Sequence, residues 1–193
     1  SYPLLANYQP DLKALGYQSG SMKAIWDNRR AIDLLQSLPY VRKGGVAAIG
    51  HSLGGHNAIY TAVFDARIKV LATSCAFDSY LDYQDGDIRG WTSQRNMPAL
   101  LDYELAEIPF DFHELLGALA PRGLWVSAPL GDHNFKWESV DRIARAVRPV
   151  YEWFGVSDHL QIRHPKGGHD FPPLMREEAY RFLARGLEVD PAD

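Results

Sequence analysis

The stretch "AAIGHSLGGHNA", from Ala47 to Ala58, joins a short apolar run to a serine that has a glycine two positions away on either side. The residues from Val46 to Ile49 are all apolar and lie between glycines, a pattern typical of a strand covered on both faces. The residues after Ser52, as far as Phe64, follow a helical pattern. The sequence therefore predicts a sharp turn at Ser52, between the end of a buried strand and the start of a helix.

That turn suits a nucleophilic serine. A serine hydroxyl is a weak nucleophile until a base removes its proton, and it must stand clear of the backbone for an acyl carbon to reach it. A strained turn between strand and helix exposes the hydroxyl, and Gly50 and Gly54 supply small residues where the two elements pass. The helix start presents the backbone N–H of Leu53 to a developing oxyanion. A glycine-rich turn without chemistry is the alternative, but the flanking strand and helix favour a nucleophile.

Strand and helix patterns alternate along the rest of the chain. A helix is predicted from Ser21 to Leu38, with Ser21 as its N-cap, Pro39 at its end and an apolar face of Met22, Ile25, Ile32, Leu35 and Leu38. Further strands are predicted over Ile68 to Ala76, Gly123 to Pro129 and His159 to His164. Further helices are predicted over Leu53 to Phe64, Phe112 to Leu119, Ser139 to Phe154 and Leu174 to Leu187. This order predicts an α/β fold of three layers, α/β/α, around a mostly parallel sheet of roughly four strands.

One segment interrupts the alternation. Residues Phe77 to Pro109 are aromatic and acidic, and their pattern is too irregular for a single helix or strand. Loops of this length in a compact domain are usually functional, so the segment is interpreted as a lid-like excursion. The chain shows no internal repeat, and residues 1–193 are interpreted as one domain.

Composition and charge exclude several kinds of partner. The 193 residues are 46% hydrophobic with a formal net charge of −4, and lysine and arginine are scattered, which argues against nucleic acid and anionic membranes. No apolar run is long enough to span a membrane, and the first residues lack the charged stretch followed by an apolar stretch that a signal peptide has. We therefore expect a soluble protein, cytoplasmic or already processed. The single cysteine, Cys75, is interpreted as a buried apolar residue, and neither a metal nor a cofactor is expected.

A nucleophilic serine needs a base, and a triad on this architecture runs in the order serine, acid, histidine. His169 lies in "HPKGGHDFPP", a glycine-rich turn after the last predicted strand, where a loop can bring an imidazole over the strand ends. The rival is His164, which ends the strand itself. The remaining candidates are disfavoured by positions beside the turn, in a helix or at a strand start: His51, His56, His113 and His159.

The acid of such a triad is expected just past the strand that precedes the histidine loop. Asp132 occupies that place in "SAPLGDHNF", where it would fix the histidine tautomer and stabilise the imidazolium. Asp78, one strand earlier in the chain, is the competing carboxylate, and either aspartate could instead be an ordinary turn or cap residue.

Three of these segments carry a resemblance to a known superfamily. "IGHSLGGHNA", "APLGDHNF" and "GGHDFPP", in that order, resemble the nucleophile, acid and histidine segments of the α/β-hydrolase superfamily. The block "PFDFHELLGALAPR" is similar to the branch of dienelactone-hydrolase-like, acetyl-xylan-esterase-like and prolyl-oligopeptidase-like enzymes. The resemblance covers the chain from about Tyr17 onward. It implies that Ser52, Asp132 and His169 take the triad roles in the hydrolysis of a carboxylic ester.

The sequence departs from this superfamily before the nucleophile. The superfamily has several strands there, and one of their loops supplies the second oxyanion donor, whereas no strand is predicted before Val46 and no H-G-G-G-type loop is present. The resemblance therefore implies a truncated α/β-hydrolase fold, either a fragment or a form completed by self-association. The strand from Val46 to Ile49 would become a sheet edge, which favours a homodimer or higher oligomer formed by that edge or by Ser1 to Gly20.

Two functions are consistent with these patterns. The first is a serine esterase that hydrolyses short-chain carboxylic esters through an acyl-enzyme on Ser52, with a small-molecule ester as its substrate; a peptidase is implied only by analogy. The second is a weak or inactive hydrolase fragment that acts as an assembly or binding module. The complete set of triad residues favours the first function, and the missing strands favour the second.

Overall fold

The computed structural model describes residues 11–190, and the residues on either side lie outside that description. Four strands in this part of the chain form one parallel sheet in which consecutive strands are neighbours, in the order β1-β2-β3-β4. The strands are β1 (Val46–His51), β2 (Ile68–Ser74), β3 (Gly123–Ser127) and β4 (Leu160–Arg163). The predicted α/β class and the four parallel strands are confirmed.

Within the described residues, five α-helices join or flank these strands. They are α1 (Gly20–Ser37), α2 (Leu53–Phe64), α3 (Phe112–Gly117), α4 (Trp137–Trp153) and α5 (Pro173–Gly186). The helix α2 begins and ends at the predicted residues, and the other helices begin and end within about two residues of the prediction, a usual margin for helix ends.

Side chains on the two faces of the sheet fill separate cores, as expected for three layers. Leu71, Leu124 and Val126 belong to a large cluster that also contains residues of α2, α3 and α4. Val70 and Trp125, which alternate with them along β2 and β3, pack instead against residues of α5. Because successive side chains of a strand point to opposite faces, the continuous apolar runs of β2 and β3 serve both cores.

The helix α1 differs from its prediction in two respects. Ser19, and not Ser21, is its N-cap, and the Ser19 side chain accepts a hydrogen bond from the backbone N–H of Met22. Of the predicted apolar face, Ile32 is buried whereas Met22 and Leu35 are exposed. Among the described residues α1 packs chiefly against α2, so part of its apolar face remains in contact with solvent.

The segment Phe77 to Pro109 contains four short 3₁₀ turns, over Tyr83–Gly86, Ile88–Gly90, Pro98–Asp102 and Leu105–Glu107. Its large side chains are not all at the surface. Phe77, Tyr80 and Trp91 are buried in the main core, so the segment is packed onto the face of the sheet that carries α2 and α3. No helix within residues 11–190 is long and apolar enough to cross a membrane.

Candidate active site

Ser52 lies at the turn between β1 and α2, with φ 52° and ψ −126°. Positive φ is uncommon for a residue with a Cβ, and here it lifts the side chain away from the strand direction. The turn depends strongly on Gly50, because a Cβ at that position would lie 2.3 Å from the carbonyl carbon of Gly54. A Cβ on Gly54, by contrast, meets no described atom within 4 Å. The predicted steric requirement therefore holds for the first glycine of the pattern and not for the second.

The structure brings the predicted serine, histidine and aspartate together at the carboxyl ends of the strands. His169 Nε2 lies 2.8 Å from Ser52 Oγ, although 117 positions separate the two residues. On the other side of the same ring, Nδ1 lies 3.0 and 3.1 Å from the two carboxylate oxygens of Asp132. With Nδ1–H donating to the carboxylate, Nε2 is free to accept the hydroxyl proton of Ser52. The arrangement suits proton transfer from Ser52.

The carboxylate of Asp132 is buried and well supplied with donors. Burial alone would raise its pKa, but hydrogen bonds from the backbone N–H of Asn134 and from His169, together with the neighbouring Cys75 thiol, hold the pKa below its usual value. Asn134 N–H donates to Oδ1 at 2.8 Å, and the N–H of Phe135 lies 3.3 Å from the same oxygen. Asp132 therefore stays ionised near neutral pH, as a residue that stabilises an imidazolium must.

The rival candidates lie in other environments. The carboxylate of Asp78 is buried beside α4, where Oδ2 accepts a hydrogen bond from the backbone N–H of Lys136 at 3.0 Å. The ring of His164 bridges the carbonyl oxygen of Ala128 and the carboxylate of Asp141. Both residues thus have structural contacts of their own, and the structure favours Asp132 and His169 for the triad.

Leu53 is the first residue of α2, directly after the serine. The first N–H groups of a helix have no acceptor within it, so the N–H of Leu53 is available to an oxyanion. We assign no second oxyanion donor among residues 11–190.

Two neighbours of the triad were not singled out for the site by the sequence. The His51 ring lies with its centroid 5.1 Å from that of His169, and its Nδ1 is 3.3 Å from Ser74 Oγ. Burial, followed by the nearby His169, lowers the pKa of His51. Cys75 is buried directly after β2, with its sulfur within 4.8 Å of a carboxylate oxygen of Asp132. Its position past the carboxyl end of a central strand was the signal in the sequence that could have pointed to it.

One cluster of metal-binding residue types occurs within the described chain, and it overlaps the triad. Cys75 Sγ, an oxygen of Asp132 and a ring nitrogen of His169 all lie within 4.8 Å of one another. Burial raises the pKa of the Cys75 thiol to about 12, so the sulfur remains protonated near neutral pH, whereas a metal ligand must be a thiolate. The carboxylate and the imidazole are already bonded to each other. These groups fit a proton-transfer site better than a metal site.

The nucleophile turn follows β1, the acid follows β3 and the histidine follows β4 of a parallel sheet. This is the chain order of the α/β-hydrolase superfamily. Comparisons of the coordinates give the same result. A glucuronoyl esterase of carbohydrate esterase family 15 from Caldicellulosiruptor kristjansonii superimposes with a TM-score of 0.75 at 20% identity, over 90% of this chain and 52% of its own. A glucuronoyl esterase from Solibacter usitatus gives 0.72 at 23% identity, over 94% and 53%. The chain therefore shares the fold of these esterases, an α/β-hydrolase fold.

Relatives found by sequence agree with this fold. "Putative hydrolase YtaP" of Bacillus subtilis is 29% identical over 164 residues, which cover 84% of this chain and 53% of that protein. A 4-O-methyl-glucuronoyl methylesterase of Hypocrea jecorina is 27% identical, over 92% of this chain and 43% of its own. No model of a known protein family matches. The chain spans about half the length of the curated relatives it matches.

Proposed function

We propose that this chain carries the catalytic triad of a serine carboxylic-ester hydrolase, with Ser52 as nucleophile, His169 as base and Asp132 as the acid that orients it. The observation that carries the proposal is the continuous set of hydrogen bonds from Ser52 Oγ through both ring nitrogens of His169 to the buried Asp132 carboxylate. The names of the relatives support ester hydrolysis as the reaction.

The geometry supports a reaction in two halves. Ser52 Oγ attacks the ester carbonyl carbon while its proton passes to Nε2 of His169, and the N–H of Leu53 donates to the oxygen that becomes negative. The tetrahedral adduct then collapses, and its carbon–oxygen bond to the alcohol breaks as Nε2 returns the proton to the leaving oxygen. A water molecule attacks the resulting acyl-serine with the same base, which releases the acid and regenerates Ser52.

The substrate class is a further part of the proposal. The relative from Hypocrea jecorina and the two solved structures are named as esterases of glucuronoyl groups, so we propose a uronic acid, esterified at its carboxyl, as the natural acyl group. Short-chain activated esters should also be cleaved, but weakly, because a single oxyanion donor is assigned and loss of a donor typically lowers turnover by about 10²- to 10³-fold.

One experiment tests the reaction and the nucleophile together. The chain is incubated with a fluorophosphonate probe, which reacts only with activated serines, and its hydrolysis of methyl glucuronate and p-nitrophenyl acetate is measured. We expect labelling and hydrolysis in the wild type and neither in Ser52→Ala. Ser93→Ala, which changes a serine of the segment Phe77 to Pro109, is the matched control and should leave both unchanged. Equal hydrolysis by wild type and Ser52→Ala would refute the assignment.

A second candidate function, assembly, is favoured by the open edge of β1. Within residues 11–190 this strand pairs only with β2, and Ile49 and Leu53 beside the edge are 41% and 44% exposed. An apolar strand edge is a template for pairing with another chain. We propose that two copies associate through this edge, which would make the chain a homodimer. The contribution predicted for Ser1 to Gly20 lies largely outside the described residues.

Sedimentation at micromolar concentrations tests the association. We expect a dimer or larger species in the wild type and a monomer in Ile49→Lys, since a charge on the edge opposes pairing. Phe64→Lys, which changes an exposed aromatic residue at the far end of α2, is the control and should remain associated. A monomeric wild type would refute the proposed dimer, and it would leave the esterase proposal standing.

A further inference from the structure

Cys75 occupies an unusual backbone position beside the triad. It follows the last residue of β2, and its N–H extends the ladder by donating to the carbonyl oxygen of Ser127 at 2.9 Å. Its φ is 50°, in the left-handed region that residues with a Cβ rarely adopt. In a regular strand Ser74 and Cys75 would point to opposite faces. Here both reach the carbonyl oxygen of Asp170, each at 3.4 Å, so the strained backbone turns the thiol toward the triad.

The thiol lies between the two loops that carry the acid and the base. Its sulfur is within 4.8 Å of both an oxygen of Asp132 and a ring nitrogen of His169. The residue is 2% exposed, so water does not compete for these groups. Burial keeps the thiol protonated, which leaves it one hydrogen to donate.

The hydrogens of this cluster can be allocated without conflict. The Ser74 hydroxyl has one hydrogen and can donate it to the Asp170 carbonyl oxygen, while it accepts from Nδ1–H of His51. The thiol also lies 3.4 Å from that carbonyl oxygen, but once the hydroxyl serves it the thiol hydrogen can turn to the Asp132 carboxylate, whose charge makes it the stronger acceptor. A carboxylate with two oxygens has room for this donor beside the Asn134 N–H and His169.

We propose that Cys75 is a positioning residue whose S–H donates to the Asp132 carboxylate and so holds that carboxylate against Nδ1 of His169. The proposal rests on the proposed function, because it assigns Asp132 and His169 to the triad. The strained backbone at Cys75 then has a function, because it directs a weak but fully buried S–H donor toward the Asp132 carboxylate. Cys75 does not touch the substrate, and it acts through the orientation and basicity of the triad.

Two substitutions separate donation from packing. Cys75→Ala removes the donor, whereas Cys75→Ser keeps one, and both place a Cβ on the same strained backbone. In Cys75→Ala we expect kcat to fall about tenfold with KM unchanged, since a hydrogen bond to a charged group has about this effect. The acid limb of kcat/KM should move to higher pH, because the carboxylate and imidazole bind a proton more tightly without the donor. Cys75→Ser should lie nearer to the wild type in both measurements.

The matched control is Ser127→Ala at the neighbouring strand end. The Ser127 hydroxyl is buried and has no hydrogen-bond partner among the described residues, so its loss changes packing without removing a donor to the triad. It should leave the acid limb in place. The proposal is overturned if the acid limb of Cys75→Ala coincides with that of the wild type, or if Cys75→Ser is impaired as much as Cys75→Ala.

A measurement without turnover keeps this proposal distinct from the esterase assignment. The carboxyl carbon of Asp132 is followed by NMR during a pH titration of the wild type, Cys75→Ala and Cys75→Ser. We expect the pKa of Asp132 to rise in Cys75→Ala and to return toward the wild-type value in Cys75→Ser. Unchanged titration in Cys75→Ala refutes the hydrogen bond even if the chain hydrolyses esters, and a raised pKa supports it even if the chain does not.

Discussion

His56 should make the folded protein sensitive to mild acid. Its ring is fully buried, neither ring nitrogen has a hydrogen-bond partner among the described residues, and it stacks on Trp91 with the ring centroids 4.3 Å apart. Burial lowers the pKa of His56 from 6.5 to about 3. A protonated imidazole is therefore disfavoured in the folded state and freely formed in the unfolded chain.

The sign and size of the effect follow from linkage. The folded pKa of His56 lies below its unfolded value, so the unfolded state binds the extra proton as the pH falls from 6.5 toward 3. Stability from this residue is complete above pH 6.5 and declines by about 1.4 kcal/mol for each pH unit below it. Between neutral pH and about pH 5 the loss is about 2 kcal/mol, a large part of the stability of an ordinary domain.

The substitution that isolates this effect is His56→Phe, which keeps an aromatic ring on Trp91 and removes the titrating group. The free energy of unfolding in urea is followed by tryptophan fluorescence at pH 7, 6 and 5. We expect the variant to lose about 2 kcal/mol less than the wild type between pH 7 and 5. His113→Gln, which removes an exposed histidine, is the control and should follow the wild type. Equal losses in wild type and His56→Phe would refute the reasoning.

Three further outcomes are expected. Asp132→Asn should lower ester turnover by about 10³- to 10⁴-fold, because the amide cannot stabilise the imidazolium. Asp78→Asn should change turnover little. Steady-state kinetics of both variants on one ester decides between the two residues, and a larger loss in Asp78→Asn would assign the acid to Asp78. Asp78→Asn should also stabilise the protein in urea titrations. Burial raises the pKa of Asp78 from 3.8 to about 7, so the wild type loses stability as the pH rises between these values, and the gain in the variant should be complete above pH 7. A variant less stable than the wild type at pH 8 would contradict this. Gly50→Ala should destabilise the folded protein by about 1 to 3 kcal/mol, since the added Cβ would overlap the Gly54 backbone. Gly54→Ala should not destabilise it, because a Cβ there meets no described atom. Equal melting temperatures for these two variants would contradict the packing argument.

The local part of the fold could be predicted because its causes lie close together in the chain. The apolar run from Val46, the turn at Ser52 and the helix to Phe64 are each specified by neighbouring residues, and the structure has β1 and α2 there. The capping box formed by Asp111 and Glu114 is another local feature, and both of its hydrogen bonds are present in α3.

The candidate triad could also be located, although its members are far apart in sequence. Carboxyl ends of parallel strands meet at one edge of a sheet, so the residues after β1, β3 and β4 must converge once the strand order is known. Pattern favoured Ser52, Asp132 and His169 over the rivals Asp78 and His164, and the structure brings the three favoured side chains together. Their catalytic role stays a prediction.

Features that depend on what surrounds a residue were beyond the sequence. The apolar pattern of α1 predicts a buried face, but burial requires a partner, and among the described residues Met22 and Leu35 have none that covers them. His56 was set aside as a flank of the turn, and only packing against Trp91 shows that its imidazole is buried and neutral.

Cys75 shows the same limit most sharply. Composition predicted a buried cysteine, and it is buried. The direction of its thiol, however, depends on the positive φ of Cys75, which the neighbouring residues in sequence do not require. That φ accompanies the hydrogen bond from the Cys75 N–H to β3 and the contact of the thiol with the loop at Asp170. The sequence determined which chemical groups stand at the strand ends, because strand and turn propensities act over a few residues. Only the tertiary structure decided which of those groups touch, because contacts between loops depend on the packing of the whole sheet.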